Sequence, residues 1–500
     1  MSKLTPMEWS KQVIKQDEID RYLINGKDFI DEKEIMSKIE NNKNPDKGFI
    51  RNIMDKALSI QTLSPDETAA LINVKDEELW EELYEVGNKI KKKVYDNRIV
   101  FFAPLYCSNL CVNSCKYCGF RKDNPQEKRR ILSMEEIKKE TEAIIDEGHK
   151  RLIVVYGEHP LSDVDYIADS IKAVYSVKKK SPNSNRVGNI RRVNVNAAPM
   201  NISDLKKLKE VGIGTFQVFQ ETYDRNLYAN LHPSGPKADY RWRLYALHRA
   251  MEAGIDDFAI GALFGLNDWR FEAMGLLYHA IDLERQFGIG PHTISFPRLN
   301  LASGSPLSKN SNCKVSDADY KKLVTILRLS VPYTGLIITA REKAELRDDV
   351  VKVGCTQMDA SSKIGIGAYS QKSNNQEEEK QQFMLGDTRS LDEVVQRLAL
   401  NGTITSFCTA GYRCGRTGEK IMDMLKECHE GKFCKLNAVL TYKEYLDDYA
   451  SPKTREIGEK VIKKEIEDIR NNPFYKEKGL IKLLDDYYNR IADGERDLFI

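Results

Sequence analysis

Two rhythms of apolar and polar positions divide the chain. Over residues 1–95, apolar side chains recur at helical spacing in a highly charged background. The stretch "SPDETAALINVKDEELWEELYEVGNKIKKKVY" begins with Ser64 as an N-cap and Pro65 at the first helical position, so it predicts helix. From residue 99 short β-rich runs alternate with amphipathic helical stretches. The runs are "IVFFAPLY", "RLIVVYG", "RRVNVNAA", "GTFQVFQ", "DDFAIGALFG", "PHTISFPRL", "GLIITA" and a plausible last strand at "GCTQMDAS". Between them lie helical patterns such as "SMEEIKKETEAIIDEG", "NISDLKKLKEVG" and "RFEAMGLLYHAIDLERQFG". Close to eight β/α units in roughly 270 residues predict an α/β fold, a (β/α)8 TIM-type barrel or an incomplete version of it. Chemistry in such a barrel sits at the C-terminal ends of the strands. Residues 370–382, "SQKSNNQEEEKQQ", are polar and low in complexity and read as an exposed linker. The expected division is a helical lead-in over 1–95, a barrel over 96–370 and a C-terminal auxiliary region over 371–500.

With 41% hydrophobic residues among 500, the chain has material for a large core. Its 77 basic and 75 acidic residues give a net charge of +2, no footprint for nucleic acid or an anionic membrane. The start "MSKLTPMEWSKQVIKQDEID" has no apolar core, and no run approaches the length of a membrane span. The expectation is a cytoplasmic chain whose thiols stay reduced, so clustered cysteines point to metal or catalysis rather than disulfides.

Such a cluster exists. "LYCSNLCVNSCKYCGF" holds Cys107, Cys111, Cys115 and Cys118, four of the ten cysteines in the chain. Structural zinc takes four tetrahedral ligands, often as two Cys-x-x-Cys pairs. Three thiolates spaced Cys111-x-x-x-Cys115-x-x-Cys118 after a first barrel strand suit a 4Fe–4S cluster better, with one iron left open for a substrate or cofactor. Cys107, outside this spacing, reads as an ordinary buried cysteine.

"CVNSCKYC" resembles the radical S-adenosylmethionine (SAM) enzymes, whose three-cysteine cluster binds SAM and cleaves it to a 5′-deoxyadenosyl radical. The resemblance implies that Tyr117 contacts adenine through its backbone. It also implies that Gly157 and Glu158 of "VVYGEHP" receive the SAM amino group: a glycine lets backbone approach a ligand, and a carboxylate accepts from an ammonium. Further along, "RRVNVNAAP", "GTFQVFQETY", "LHPSGPKADYRWRL", "AMEAGIDDFAIGALFGLNDWRFE" and "GPHTISFPRL" resemble the aromatic amino acid lyase branch, in particular the tyrosine lyases of FeFe-hydrogenase maturation and their thiazole-synthesis cousins. That similarity runs from about residue 60 to the C-terminus. It implies cleavage of the Cα–Cβ bond of tyrosine to p-cresol and dehydroglycine. In the maturases dehydroglycine goes on to CO and cyanide. An electron donor such as flavodoxin or ferredoxin and other hydrogenase maturation proteins are the implied partners.

Asn194 and Asn196 alternate with Val193 and Val195, so both amides point to one face; in a barrel interior a ligand is a natural partner for them. Gln220 and Glu221 end the fourth strand, where a carboxylate could take ribose hydroxyls. His292, opening the sixth strand, could ligate iron or move a proton; a satisfied core histidine is the competing reading. His279 reads as an outer-helix residue. Arg341, after the seventh strand, could hold the substrate carboxylate in a bidentate pair or form a surface salt bridge. The family usually has a Ser/Gly-rich segment with an arginine after the last strand, where "DASSKIGIGAY" carries Lys363, which cannot make the planar fork.

The tail departs from the family. The maturases have Cys-x-x-Cys and a later third cysteine holding a second cluster with an additional iron, on which CO and cyanide are assembled. Cys408 and Cys434 match the first and third of these positions, but the second is Gly411, with Cys414 three residues later and Cys428 between. Either Cys414 replaces the missing ligand, or the second cluster is lost or altered and the chain stops at cleaving an amino acid. A protein of another class, an iron–sulfur scaffold without radical chemistry, would need no SAM pocket.

Overall fold

The computed structural model describes residues 6–371 and 381–500. Eight parallel strands carry the architecture: β1 Arg98–Ser108, β2 Arg151–Tyr156, β3 Arg192–Asn196, β4 Phe216–Gln217, β5 Phe258–Gly261, β6 Thr293–Ser295, β7 Gly335–Ile338 and β8 Gln357–Asp359. Each pairs with the next, and β8 returns to β1 through Val100↔Gln357 and Phe102↔Asp359, so the sheet closes into a barrel. All eight runs expected from the pattern are strands. Closure buries them on both faces, inward against the barrel filling and outward against helices, which is why β2 is buried at all six positions.

Caps set the helix boundaries. Ser133 and Glu136 form a reciprocal capping box that starts the helix Met134–Asp146. Gly212 and Gly288, both left-handed, end Ile202–Val211 and Trp269–Phe287. In the lead-in, Ser64 and Glu67 make the same box at Pro65–Ile72. The predicted helical stretch is two helices, because Asp76 caps a new one at Glu77–Tyr95.

Three strands among the described residues lay outside the expected pattern: the short antiparallel pair Lys179–Lys180 and Val187–Gly188, and one in the tail. β9, Ile404–Ser406, runs parallel to the start of β1 through Arg98↔Ile404 and Val100↔Ser406. The tail therefore adds a strand at the base of the barrel sheet, and a single hydrophobic core runs from Ile19 in the lead-in to Ile491 in the tail. The long tail helix Glu430–Asp448 docks on the barrel through charge: Glu444 meets Arg191 at 2.7 Å and Lys150 at 3.3 Å, all buried. Most of the expected linker, 372–380, lies outside the described residues. Its end is no exposed linker, since Gln381 is buried.

Candidate active site

At the C-terminal ends of the strands a cavity of about 200 Å³ opens. Its wall includes Cys111, Cys115, Cys118, Tyr117, Gly157, Glu158, Asn196, Glu221 and Arg341, residues that the sequence spreads over more than two hundred positions. The cysteine loop follows β1 directly. Burial pushes all three thiols up, so a metal must displace their protons on binding. Among the described residues no three His, Cys, Asp or Glu side chains converge on one ion. Thiolates of a cubane bind three different irons and need not converge.

Asn113, inside that loop, joins three segments. Its Nδ2 donates to Glu158 Oε2 at 2.6 Å and lies 3.6 Å from Cys111 Sγ, while its Oδ1 accepts from the Lys237 amide at 3.0 Å. Gly235, at φ +87, permits this approach: a Cβ there would fall 2.2 Å from Asn113 Oδ1. Burial raises the Glu158 carboxyl, and its Oε1 is buried without a hydrogen-bond partner. That orphan oxygen on the cavity wall fits an ammonium donor. Gly157 lines the cavity and has a packing reason to be glycine as well. Its amide donates to Ser108 at 2.8 Å, and a Cβ would meet the Leu110 carbonyl at 2.1 Å, so it lets the cysteine loop pack against β2.

Glu221 has φ +74, a strained conformation for a side-chain-bearing residue. Burial pushes its carboxyl up, but Lys237 at 2.7 Å and Arg243 at 3.4 Å outweigh it and hold the group at about 2. Tyr117 O–H lies 2.8 Å from His232 Nε2. His232 Nδ1 is 2.8 Å from the Tyr228 carbonyl and must donate to it, so Nε2 accepts from Tyr117. Burial lowers His232 to about 3 and keeps it neutral.

Arg341 lines the same cavity with its guanidinium 3.2 Å from the Phe383 ring centre. Its neighbour Glu342 is taken by Arg298. Among the described residues the Arg341 guanidinium has no carboxylate partner, so the surface-salt-bridge reading does not hold. Gln382 reaches Cys118 Sγ at 3.4 Å and accepts from Tyr106 O–H at 3.2 Å, so the chain after residue 380 closes over the cysteine loop.

Four expected site residues lie elsewhere. Asn194 shares a face with Asn196 but sits deeper in the barrel, where its Oδ1 accepts from the Thr215 amide at 3.0 Å rather than from a ligand. Gln220 points away from the cavity lined by its neighbours Phe219 and Glu221, and both its side-chain polar atoms are buried and unpaired. Lys363 is not on the cavity wall; its backbone amide donates to Tyr369 O–H at 3.2 Å. His292 lies at the opposite end of the barrel, on a small second cavity with Arg98, Cys408, Glu430 and Cys434. Cys414 is not among the residues lining that cavity. There a hydrogen bond from Cys434 above all, with Arg98 and Arg151 helping against burial, pulls the Cys408 thiol well down. Cys107 is fully buried, as expected, and His279 is buried on its helix with Tyr223 O–H at 2.9 Å from Nδ1.

Sequence reasoning missed Asn113, His232, Lys237 and Arg243 as site residues. The last three lie in "LHPSGPKADYRWRL", a stretch whose resemblance was visible but whose side chains carried no spacing signal.

The Radical SAM superfamily profile matches residues 105–277, and the Biotin and Thiamin Synthesis associated domain profile matches 295–404. 2-Iminoacetate synthase of Salmonella typhimurium is 30% identical over 354 residues, 70% of this chain and 88% of that protein. The chain belongs to the radical SAM superfamily. The crystal structure of HydG, a maturase of the FeFe-hydrogenase, is 45% identical to this radical SAM enzyme with a TM-score of 0.88, covering 95% of this chain and 100% of that one. HydG from Carboxydothermus hydrogenoformans is 37% identical with a TM-score of 0.76, over 95% and 99%. Membership implies a 4Fe–4S cluster and SAM. The three thiols beside a cavity and the orphan Glu158 oxygen on its wall fit them.

Proposed function

We propose that this radical SAM enzyme breaks the Cα–Cβ bond of tyrosine, giving p-cresol and dehydroglycine. The observation that carries the reading is Arg341, a guanidinium with no carboxylate partner among the described residues, on the wall that also holds the three cysteines. A planar, permanently charged fork suits the carboxylate of an amino acid substrate. Lys363, which stands where the family usually has a separate arginine after the last strand, lies off this wall.

When bound, the cluster and SAM supply a 5′-deoxyadenosyl radical on one-electron reduction, the chemistry that the protein itself cannot provide. Cys111, Cys115 and Cys118 would hold the cluster. Glu158, oriented by Asn113, would accept from the SAM amino group, Asn196 would face the same ligand, and Glu221 would take ribose hydroxyls. Tyr117, fixed by His232, walls the adenine side. The apolar layer of Phe102, Ile153 and Ile337 closes the floor and keeps water from the radical.

Support for a hydrogenase-maturation role, with CO and cyanide as later products, comes from likeness to HydG over 95% of the chain, tail included. The 2-iminoacetate synthase match spans 70% of the chain. Gly411 favours the second reading, a lyase that stops at amino acid cleavage. We place the enzyme in the cytoplasm with a flavodoxin or ferredoxin as electron donor and other maturation proteins as partners. No helix among the described residues is long and apolar enough to cross a membrane.

Anaerobic turnover of reconstituted protein with SAM, reductant and tyrosine tests the lyase reading. It should release p-cresol and 5′-deoxyadenosine together. SAM cleavage stimulated by another amino acid and not by tyrosine would move the substrate assignment. Protein that makes no 5′-deoxyadenosine would be a scaffold.

A further inference from the structure

The chain after residue 380 brings a side-chain amide onto the cysteine loop from 264 residues away. Gln382 Nε2 donates to Cys118 Sγ at 3.4 Å, and its Oε1 accepts from Tyr106 O–H at 3.2 Å. These two contacts fix which end of the amide faces the sulfur. A metal-bound thiolate carries no proton and can only accept, so the NH2 end must face it. Burial raises the Tyr106 hydroxyl and keeps its proton available for Gln382 Oε1.

Backbone contacts hold the same residue in place. The Gly119 amide, directly after Cys118, donates to the Gln382 carbonyl at 3.2 Å. A Cβ at Gly119 would fall 3.0 Å from the carbonyl oxygens of both Gln381 and Gln382, so glycine lets the two segments meet. The segment continues with Phe383, whose ring lies against the Arg341 guanidinium. The Met384 amide then donates to the Leu301 carbonyl at 2.8 Å, and its carbonyl accepts from Asn300 Nδ2 at 3.0 Å. Anchors on both sides of Gln382 leave its amide little choice of direction. Asn113 also lies near a cluster thiol, 3.6 Å from Cys111 Sγ, but it belongs to the cysteine loop and its Nδ2 already serves Glu158.

We propose that Gln382 is a positioning residue that sets the reduction potential of the first cluster through its hydrogen bond to Cys118. Reduction adds a negative charge to the cluster, part of it on the sulfurs. A donor aimed at a sulfur therefore holds the reduced form more strongly than the oxidised one. The amide makes the electron easier to add, and SAM cleavage, which needs that electron, easier to start. The sign of the effect separates this role from a merely structural one. Losing a donor lowers the potential. Loosening the segment would instead let water reach the cluster, and water, which also favours the more charged form, would raise it.

The proposal rests on the reading that Cys111, Cys115 and Cys118 hold the cluster, and the experiment separates the two. Full-length protein and variants are reconstituted anaerobically with iron and sulfide. The electron paramagnetic resonance signal that SAM perturbs identifies the first cluster, and titration with titanium(III) citrate gives its midpoint. Gln382→Met keeps the length of the side chain without its donor. It should make reduction about tenfold harder, a negative shift of about 59 mV for a one-electron couple, with iron content unchanged. Tyr106→Phe, which frees the amide to turn, should shift the midpoint in the same direction by less. Phe383→Leu alters the segment beside Gln382 and should leave the midpoint where it is. In Gln382→Met, 5′-deoxyadenosine formation should fall when reductant is limiting and return to the unaltered rate when the cluster is fully reduced. An unmoved or raised midpoint in Gln382→Met, or an equal negative shift in Phe383→Leu, would overturn the role of Gln382 alone. Unaltered protein without a SAM-sensitive cluster signal would overturn the reading of the three cysteines, and the role of Gln382 with it.

Discussion

At the residue scale the site is held by a few side chains that each do two things. Asn113 ties the cysteine loop to Glu158 and to the Lys237 segment. Asn113→Ala should leave Glu158 unaligned and weaken SAM binding about tenfold or more, the scale of a lost hydrogen bond to a buried charged group. Titrating the electron paramagnetic resonance signal of the reduced cluster with SAM measures this, and an unchanged midpoint would remove Asn113 from the argument. Arg341→Met should raise KM for tyrosine by about 30-fold or more, as expected for removing one partner of a buried charge pair, while SAM cleavage without substrate persists. Glu221 supplies a pH dependence. Its folded value is depressed to about 2 from an ordinary 4.5, so its contribution to stability is complete above the ordinary value. That contribution fades as pH falls from 4.5 towards 2. Glu221→Gln should flatten the loss of stability across that window, and equal acid slopes in urea unfolding would contradict the pairing with Lys237 and Arg243.

At the element scale the tail and the barrel are one packed unit. β9 lies against the start of β1, and the helix Glu430–Asp448 locks to the barrel through Glu444, which Arg191 and Lys150 hold at about 2 against the opposing effect of burial. Glu444→Ala would leave buried Lys150 without its carboxylate and Arg191 with Asp497 alone, and should cost about 3–5 kcal/mol. A fall of several degrees in Tm would register it; an unchanged Tm would mean that the docking rests on apolar contacts alone.

At the scale of the whole molecule the barrel carries a cavity at each end. The cavity with Cys111, Cys115 and Cys118 lies at the C-terminal ends of the strands, and the cavity with Cys408 and Cys434 lies at their starts. Along β1, Val100 lines the lower cavity and Phe102, two residues on, lines the upper one. Cys115→Ala should abolish 5′-deoxyadenosine formation, because one loop carries all three expected ligands of the first cluster, whereas Cys408→Ala, at the other end of the strands, should leave it intact. Loss of 5′-deoxyadenosine formation in Cys408→Ala would refute the independence of the two ends.

Much of this was legible in the linear order of residues, for a physical reason. The alternation of β-rich and amphipathic stretches reports local burial, and the eight strands of the barrel follow from it in order. The spacing of Cys111, Cys115 and Cys118 is equally local, because one loop carries all three ligands. What the tertiary structure decided depends on where distant segments meet. Arg341 is available because Arg298 takes its neighbour Glu342. Asn194 is satisfied by Thr215 while Asn196, on the same strand face, reaches the cavity. Lys363 and Cys414 stood near plausible positions in sequence and are turned elsewhere, while Gln382, which no spacing rule marks, reaches Cys118. Sequence spacing specifies ligands that share a loop or a helix face; ligands drawn from separate elements are specified only by the packing that brings those elements together.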